Sequence, residues 1–104
     1  MRVVYTDEAL ANLDEILQYI SAHYPASYAQ FEKRLRIVEA RIGAWPESAQ
    51  KVDKHPGVRV VPLIRYPYRI FYQIERGVVE ILYIHHAARR EPRETGQREG
   101  AADN

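Results

Sequence analysis

The hydrophobic positions of this chain change period once, from a helical spacing to an alternating one, and that change divides it into two halves. Arg2 to Tyr5 is a short β-type run. Thr6-Asp7-Glu8 follows with a capping residue and first-turn acids, so a helix is expected to begin near Asp7. Leu10, Leu13, Ile16, Leu17, Ile20 and Tyr24 recur at steps of three and four and form one stripe, with Asp14, Glu15 and Gln18 pointing elsewhere. Pro25 stops that helix. A second opens at Pro25-Ala26-Ser27 and carries Tyr28, Phe31, Leu35, Val38, Ile42 and Trp45 on its apolar side, with Lys33, Arg34, Arg36 and Arg41 opposite. Gly43 and Pro46 mark its end, and the Tyr24-Pro25 link makes the pair an αα-hairpin.

Residues 46–56 turn polar and read as a loop, after which the period becomes two. Val58–Ile64 is expected to be a strand whose end Pro62 demotes to an edge or bulge. Tyr68–Ile74 and Val78–His86 are the best strands, joined by the hairpin signal Glu75-Arg76-Gly77. A two-residue turn at Arg76-Gly77 puts Ile74 opposite Val79, Tyr72 opposite Ile81 and Ile70 opposite Tyr83. It gathers Arg69, Phe71, Leu82, Ile84 and His86 on the other face. Residues 91–104 lack any large apolar side chain and are expected to form a disordered tail after a single domain spanning 1–90. The order β-α-α-β-β-β predicts an α+β fold, a helical hairpin packed on a small, largely antiparallel sheet.

Composition bounds the function classes. A chain of 104 residues, 46% hydrophobic, has enough material for one core and no second domain. The absence of Cys removes disulfides, thiolate zinc sites and thiol nucleophiles together. No run approaches the roughly 20 apolar residues of a membrane span, and the N-terminus lacks a signal-peptide core, so a soluble cytoplasmic protein with no membrane partner is expected. The net charge of +1 conceals a segregation: residues 1–32 carry one base against five acids, and residues 33–69 carry nine bases against three acids. A basic middle third suits a polyanionic or acidic partner, although a solvated helix face accounts for part of it.

No phosphate-loop, nucleophile-elbow, zincin or EF-hand signature is present. His85 and His86 are adjacent on a strand and point to opposite faces, so they cannot chelate one ion together, and neither metal nor cofactor is expected. Asp7-Glu8 and Asp14-Glu15 are better explained by helix solubility and dipole pairing than as hydrolytic acid pairs. Eight Tyr against two Phe is unusual, and most fall at apolar positions, which favours core or partner-docking rings over base-stacking platforms. The constellation with chemistry in it is Arg69 within a strand, His86 at the end of the partner strand and Arg89-Arg90 beyond. A strand arginine among aromatics needs a carboxylate such as Glu80 or an exposed concavity. Convergent Arg and His suit phosphodiester cleavage through a ribose hydroxyl; a structural Arg plus a surface basic cluster is the plainer alternative.

Three stretches, Gly57-Val58-Arg59, Tyr66-Pro67-Tyr68-Arg69-Ile70-Phe71-Tyr72-Gln73-Ile74 and Val79-Glu80-Ile81-Leu82-Tyr83-Ile84-His85-His86-Ala87-Ala88-Arg89-Arg90, resemble the C-terminal half of RelE/ParE superfamily toxins. The helical hairpin that begins Val4-Tyr5-Thr6-Asp7-Glu8-Ala9 is similar too, so the resemblance covers residues 3 to 90. It implies the toxin-like fold and the toxin of a bacterial type II toxin–antitoxin module, a class associated with plasmid stabilisation and growth inhibition, restrained by a cognate protein antitoxin. The target it implies is DNA gyrase, as in ParE-like members, or ribosome-bound mRNA, as in RelE-like endonucleases; a non-toxic regulatory module on the same fold is the third reading. Residue by residue, Arg69 matches the strand arginine that contacts the scissile phosphate, Arg89 the second arginine, and His86 a position commonly histidine. Lys51, Lys54, Arg59, Arg65 and Arg90 are the expected nucleic-acid or partner contacts. The nucleases' strand lysines are replaced here by Arg59-Val60-Val61-Pro62, and no tyrosine follows Tyr83, so the catalytic set is incomplete and gyrase binding is favoured. A homodimer and a hetero-oligomer with antitoxin are both compatible with the sequence.

Overall fold

Thr6 ends the first strand and starts the first helix, and much of the architecture follows from that residue. The computed structural model describes residues 1–88. Its elements are β1 (Arg2–Tyr5), α1 (Asp7–His23), a 3-10 turn (Pro25–Ser27), α2 (Tyr28–Ala44), β2 (Gln50–Lys51), β3 (Val58–Leu63), β4 (Tyr68–Glu75) and β5 (Val78–His86). The strands form one sheet in the order β1-β5-β4-β3-β2, with β1 parallel to β5 and the remaining pairs antiparallel. The Thr6 side chain accepts a hydrogen bond from the Ala9 amide at 3.1 Å, which caps α1 as the sequence predicts.

Both helices lie on one face of the sheet. Ile16 and Ile20 from α1, and Phe31, Leu35, Val38 and Ile42 from α2, meet Leu63, Ile70, Tyr72, Val79, Ile81 and Ile84 in a single core. Burying each such side chain is worth about 1.5–3 kcal/mol, and this contact holds the helical hairpin in place. Gly43 lets the end of α2 approach β1, because a Cβ there would lie 2.9 Å from the Met1 carbonyl oxygen. Two phenols tie the layers together: Tyr5 donates to the Glu39 carboxylate, and Tyr72 donates to the Pro46 carbonyl at 2.7 Å. Burial pushes both phenols up from their ordinary range. The Glu39 charge adds to the rise for Tyr5, whereas Arg59 opposes it for Tyr72.

Several expectations require correction. The loop 46–56 contains the two-residue strand β2, held by pairing to Arg59 and Val60. Trp45 is the C-cap of α2, where the backbone has left the helix, and it is 67% exposed instead of closing the apolar stripe. β3 ends at Leu63, leaving Ile64 exposed. Leu10 and Tyr24, at the ends of the α1 stripe, are exposed as well.

The hairpin turn is the expected two-residue one: Arg76 and Gly77 both have positive φ, and Glu75 pairs with Val78. Ile74 opposite Val79 and Tyr72 opposite Ile81 also hold. Beyond them the register shifts, so that Phe71 pairs with Tyr83, Ile70 with Ile84 and Arg69 with His85. Leu82 is the extra residue of a β-bulge. It resets the alternation, turns Ile84 into the core and separates His86 from the face of Arg69. The cap and first turns of α1 brace the bulge. The Thr6 hydroxyl donates to the Leu82 carbonyl at 2.8 Å, and Asn12 Oδ1 accepts from the Ile84 amide at 3.0 Å. Asn12 thereby takes over the outer edge of β5 where β1 has ended.

Candidate functional site

The helix-free face of the sheet carries a compact cationic and aromatic cluster. Register partners share a face, so Arg69 and His85 stand side by side, with Phe71 and Tyr83 on the next rung. The rings of Tyr83 and His85 stack at 4.5 Å, Phe71 and Tyr83 lie 4.8 Å apart, and the Arg69 guanidinium carbon is 5.8 Å from the Phe71 ring centre. Phe71 is fully buried although it does not belong to the helix-facing core. This arrangement offers a guanidinium for an anion and an imidazole beside it. The Glu80 carboxylate, the partner considered for Arg69, accepts from Gln73 at 2.9 Å two rungs away.

His86 occupies other surroundings. With Tyr68, its register partner, it lines an open groove of about 920 Å³ between α1 and the ends of β4 and β5. The Tyr68 ring meets it edge-on at 5.4 Å, and its Nδ1 accepts from the Ala88 amide at 3.1 Å. The shared face of Arg69 and His86 expected from a regular ladder is therefore corrected: His85 stands beside Arg69, and His86 is on the opposite face. Alternation in the sequence cannot reveal this, because the bulge that exchanges the two histidines depends on Thr6 and Asn12.

The expected basic contacts do not converge. Arg59 donates to the carbonyls of Glu47 and Ala49, both at 2.9 Å, and so fastens the segment after α2. Lys51 is exposed at the β2 edge and Lys54 in the turn before β3. Arg65 is exposed in the turn beyond the other end of β3, in the left-handed region with φ 81°. Arg89 and Arg90 lie outside the described residues, as does the expected tail. Among the described residues no group of three or more His, Asp or Glu side chains is placed to hold a metal ion, and no helix is long and apolar enough to cross a membrane.

The sequence pattern of the ParE toxin of the type II toxin–antitoxin system, parDE, matches residues 3–91, which span every element from β1 through β5. The chain belongs to this ParE toxin family. It is also 34% identical over 89 residues to Toxin RelE2 of Caulobacter vibrioides, covering 85% of this chain and 97% of that one. Among solved structures, the chromosomal ParDE toxin–antitoxin system of P. aeruginosa superposes with a TM-score of 0.70 at 22% identity, covering 83% of this chain and 95% of that one. The toxin–antitoxin complex RelBE of E. coli gives 0.56 at 20% identity, covering 85% and 98%. At these identities the two structures establish the shared α+β fold. The span matched to the ParE family contains both the Arg69–His85 cluster and the tyrosine-lined groove, so both regions belong to the toxin domain itself.

Proposed function

We propose that this chain is the toxin of a cytoplasmic toxin–antitoxin pair, restrained by a protein antitoxin, and that the free toxin stops growth by binding DNA gyrase rather than by cutting RNA. The antitoxin follows the P. aeruginosa and E. coli relatives, both of which are toxin–antitoxin systems. Residues 1–90 act as the single working domain in this reading. The observation that carries the choice of target is the dispersal of the basic side chains: Arg59 is engaged with loop carbonyls, and Lys51 and Lys54 are at the opposite end of β3 from Arg65. Cleavage of a phosphodiester calls for several groups converging on one phosphate. Among the described residues, Arg69 beside His85 is the feature that favours the nuclease reading instead.

The deciding experiment pairs two assays on the purified full chain, DNA supercoiling by gyrase and cleavage of ribosome-bound mRNA. Inhibited supercoiling with intact mRNA is the expected result. Cleavage of the mRNA that disappears in Arg69→Ala and His85→Ala overturns it in favour of an endonuclease. Harmless expression with neither activity would instead identify a regulatory module.

A further inference from the structure

We propose that the groove beneath α1 seats an arginine or lysine side chain presented by the antitoxin. This rests on the reading of the chain as an antitoxin-restrained toxin and adds the chemistry of the contact. The groove has the size of a ligand site, about 920 Å³, and its two walls are aromatic. Tyr19 and Tyr24 stand on the helical side, 49% and 58% exposed. Tyr66 and Tyr68 face them from the strand ends, and both are braced edge-on against Phe31 at 5.2 and 6.0 Å. Tyr19 is braced in turn by stacking on His23 at 4.4 Å. These rings are held in position from behind while their outer surfaces remain open.

The charge of the lining selects the occupant. Among the described residues Glu15 is its only carboxylate and no lysine or arginine lines it; His85 and His86 are its basic side chains. A second depression on the other side of α1, of about 600 Å³, has Asp14 and Tyr28 in its lining and, among the described residues, no base. Electron-rich ring faces beside a carboxylate attract a guanidinium or ammonium group, whereas an acidic side chain brought there would meet Glu15. The His86 Nδ1, occupied by the Ala88 amide, adds no competing donor at that atom. The half-exposed tyrosines gain most from a partner that also covers them with apolar groups, so the occupant is a basic residue flanked by aliphatic ones.

Two synthetic nine-residue peptides test this, one alternating leucine with arginine and the other leucine with glutamate, titrated into the full chain. The arginine peptide is expected to shift the NMR ring signals of Tyr19, Tyr68 and His86, and to bind about tenfold more tightly than its glutamate counterpart. Glu15→Gln, at an exposed position that folding tolerates, should remove most of that preference, while Glu32→Gln on α2 leaves it in place. Equal binding of the two peptides overturns the proposal, as do shifts confined to Phe71 and Tyr83 on the open face of the sheet. It is also overturned if Arg89→Gln with Arg90→Gln moves the groove signals before any peptide is added, since the chain's own arginines would then be the occupants. The gyrase and mRNA assays read the target independently, so a failed choice of target and a failed groove give different results.

Discussion

On the open face of the sheet the polar and aromatic groups form one packed cluster, whereas beneath α1 two braced aromatic walls face each other across an open groove. Tyr83, His85, Phe71 and Arg69 satisfy each other through ring contacts of 4.5 to 5.8 Å and bury Phe71 completely without a covering helix. Tyr19 and Tyr24 are half exposed, and their opposite wall is formed by Tyr66, Tyr68 and His86. A cluster that is already packed gains little by being covered; an open aromatic groove gains more. The two regions nevertheless draw on consecutive residues: His85 packs in the outer cluster and also reaches the lining of the groove, whereas His86 belongs to the groove alone. What divides them is the bulge at Leu82, so the strongest tests of the comparison are tests of that bulge.

The largest effect is expected from Ile84. In the bulged register its side chain is 4% exposed in the core, and Leu82 is only half-buried. Ile84→Ala should cost about 3 kcal/mol, within the usual 2–5 for such truncations, and Leu82→Ala about 1 kcal/mol. In a regular ladder the two positions have the same orientation, so comparable losses in denaturant melts would mean that the bulge is absent in solution. Deleting Leu82 sharpens the point. The ladder then becomes continuous while Tyr83, Ile84 and His85 keep their faces, so the ring signals of the outer cluster should survive the deletion.

How far the sequence carries depends on how local each cause is. The start of α1 was legible because Thr6, Asp7 and Glu8 act within one turn, and the Arg76-Gly77 turn because its signal is two residues long. The faces of the hairpin followed correctly as far as Ile81. They failed at Leu82 because the groups that hold the bulge are 76 and 72 residues away along the chain, in Thr6 and Asn12. β2 was missed for a similar reason: Gln50 and Lys51 are polar and become a strand only by pairing with β3. The outer cluster was half visible, since Arg69 and Phe71 were placed on one face while His85 was exchanged for His86. The groove was not legible, because tyrosines at helical and strand spacing look alike whether they fill a core or line a cleft.

The buried phenols give a second contrast, now between the core side and the rest of the surface. Tyr5 and Tyr72 both titrate above the ordinary tyrosine value of about 10, through burial first and, for Tyr5, through Glu39 as well. Above pH 10 the unfolded chain loses those two protons while the folded chain retains them. The stability they provide is therefore present in full below about pH 10 and is lost as the pH rises from there through the folded values. Denaturant melts at pH 8, 10 and 11 should show the fall, and Tyr5→Phe should make it shallower. A flat profile to pH 11 would mean that these hydroxyls are not buried as described.

The smallest effect is the most diagnostic. Thr6 spends one hydroxyl on two bonds, accepting from the Ala9 amide at 3.1 Å and donating to the Leu82 carbonyl at 2.8 Å. Thr6→Ala removes both, and the loss of a cap plus a half-buried hydrogen bond should amount to about 1–2 kcal/mol, or a fall in Tm of several degrees for a domain of this size. Thr6→Ser keeps the oxygen and should recover most of that loss. A simple capping role would produce the same stability pattern, so stability alone does not identify the clamp. The ring signals of Tyr83 and His85 do: they follow the bulge directly and should broaden or move in Thr6→Ala and return in Thr6→Ser. If they remain where they are while stability drops, Thr6 caps α1 without holding the bulge. The separation of the two histidines would then rest on Asn12 and on the preference of Ile84 for the core.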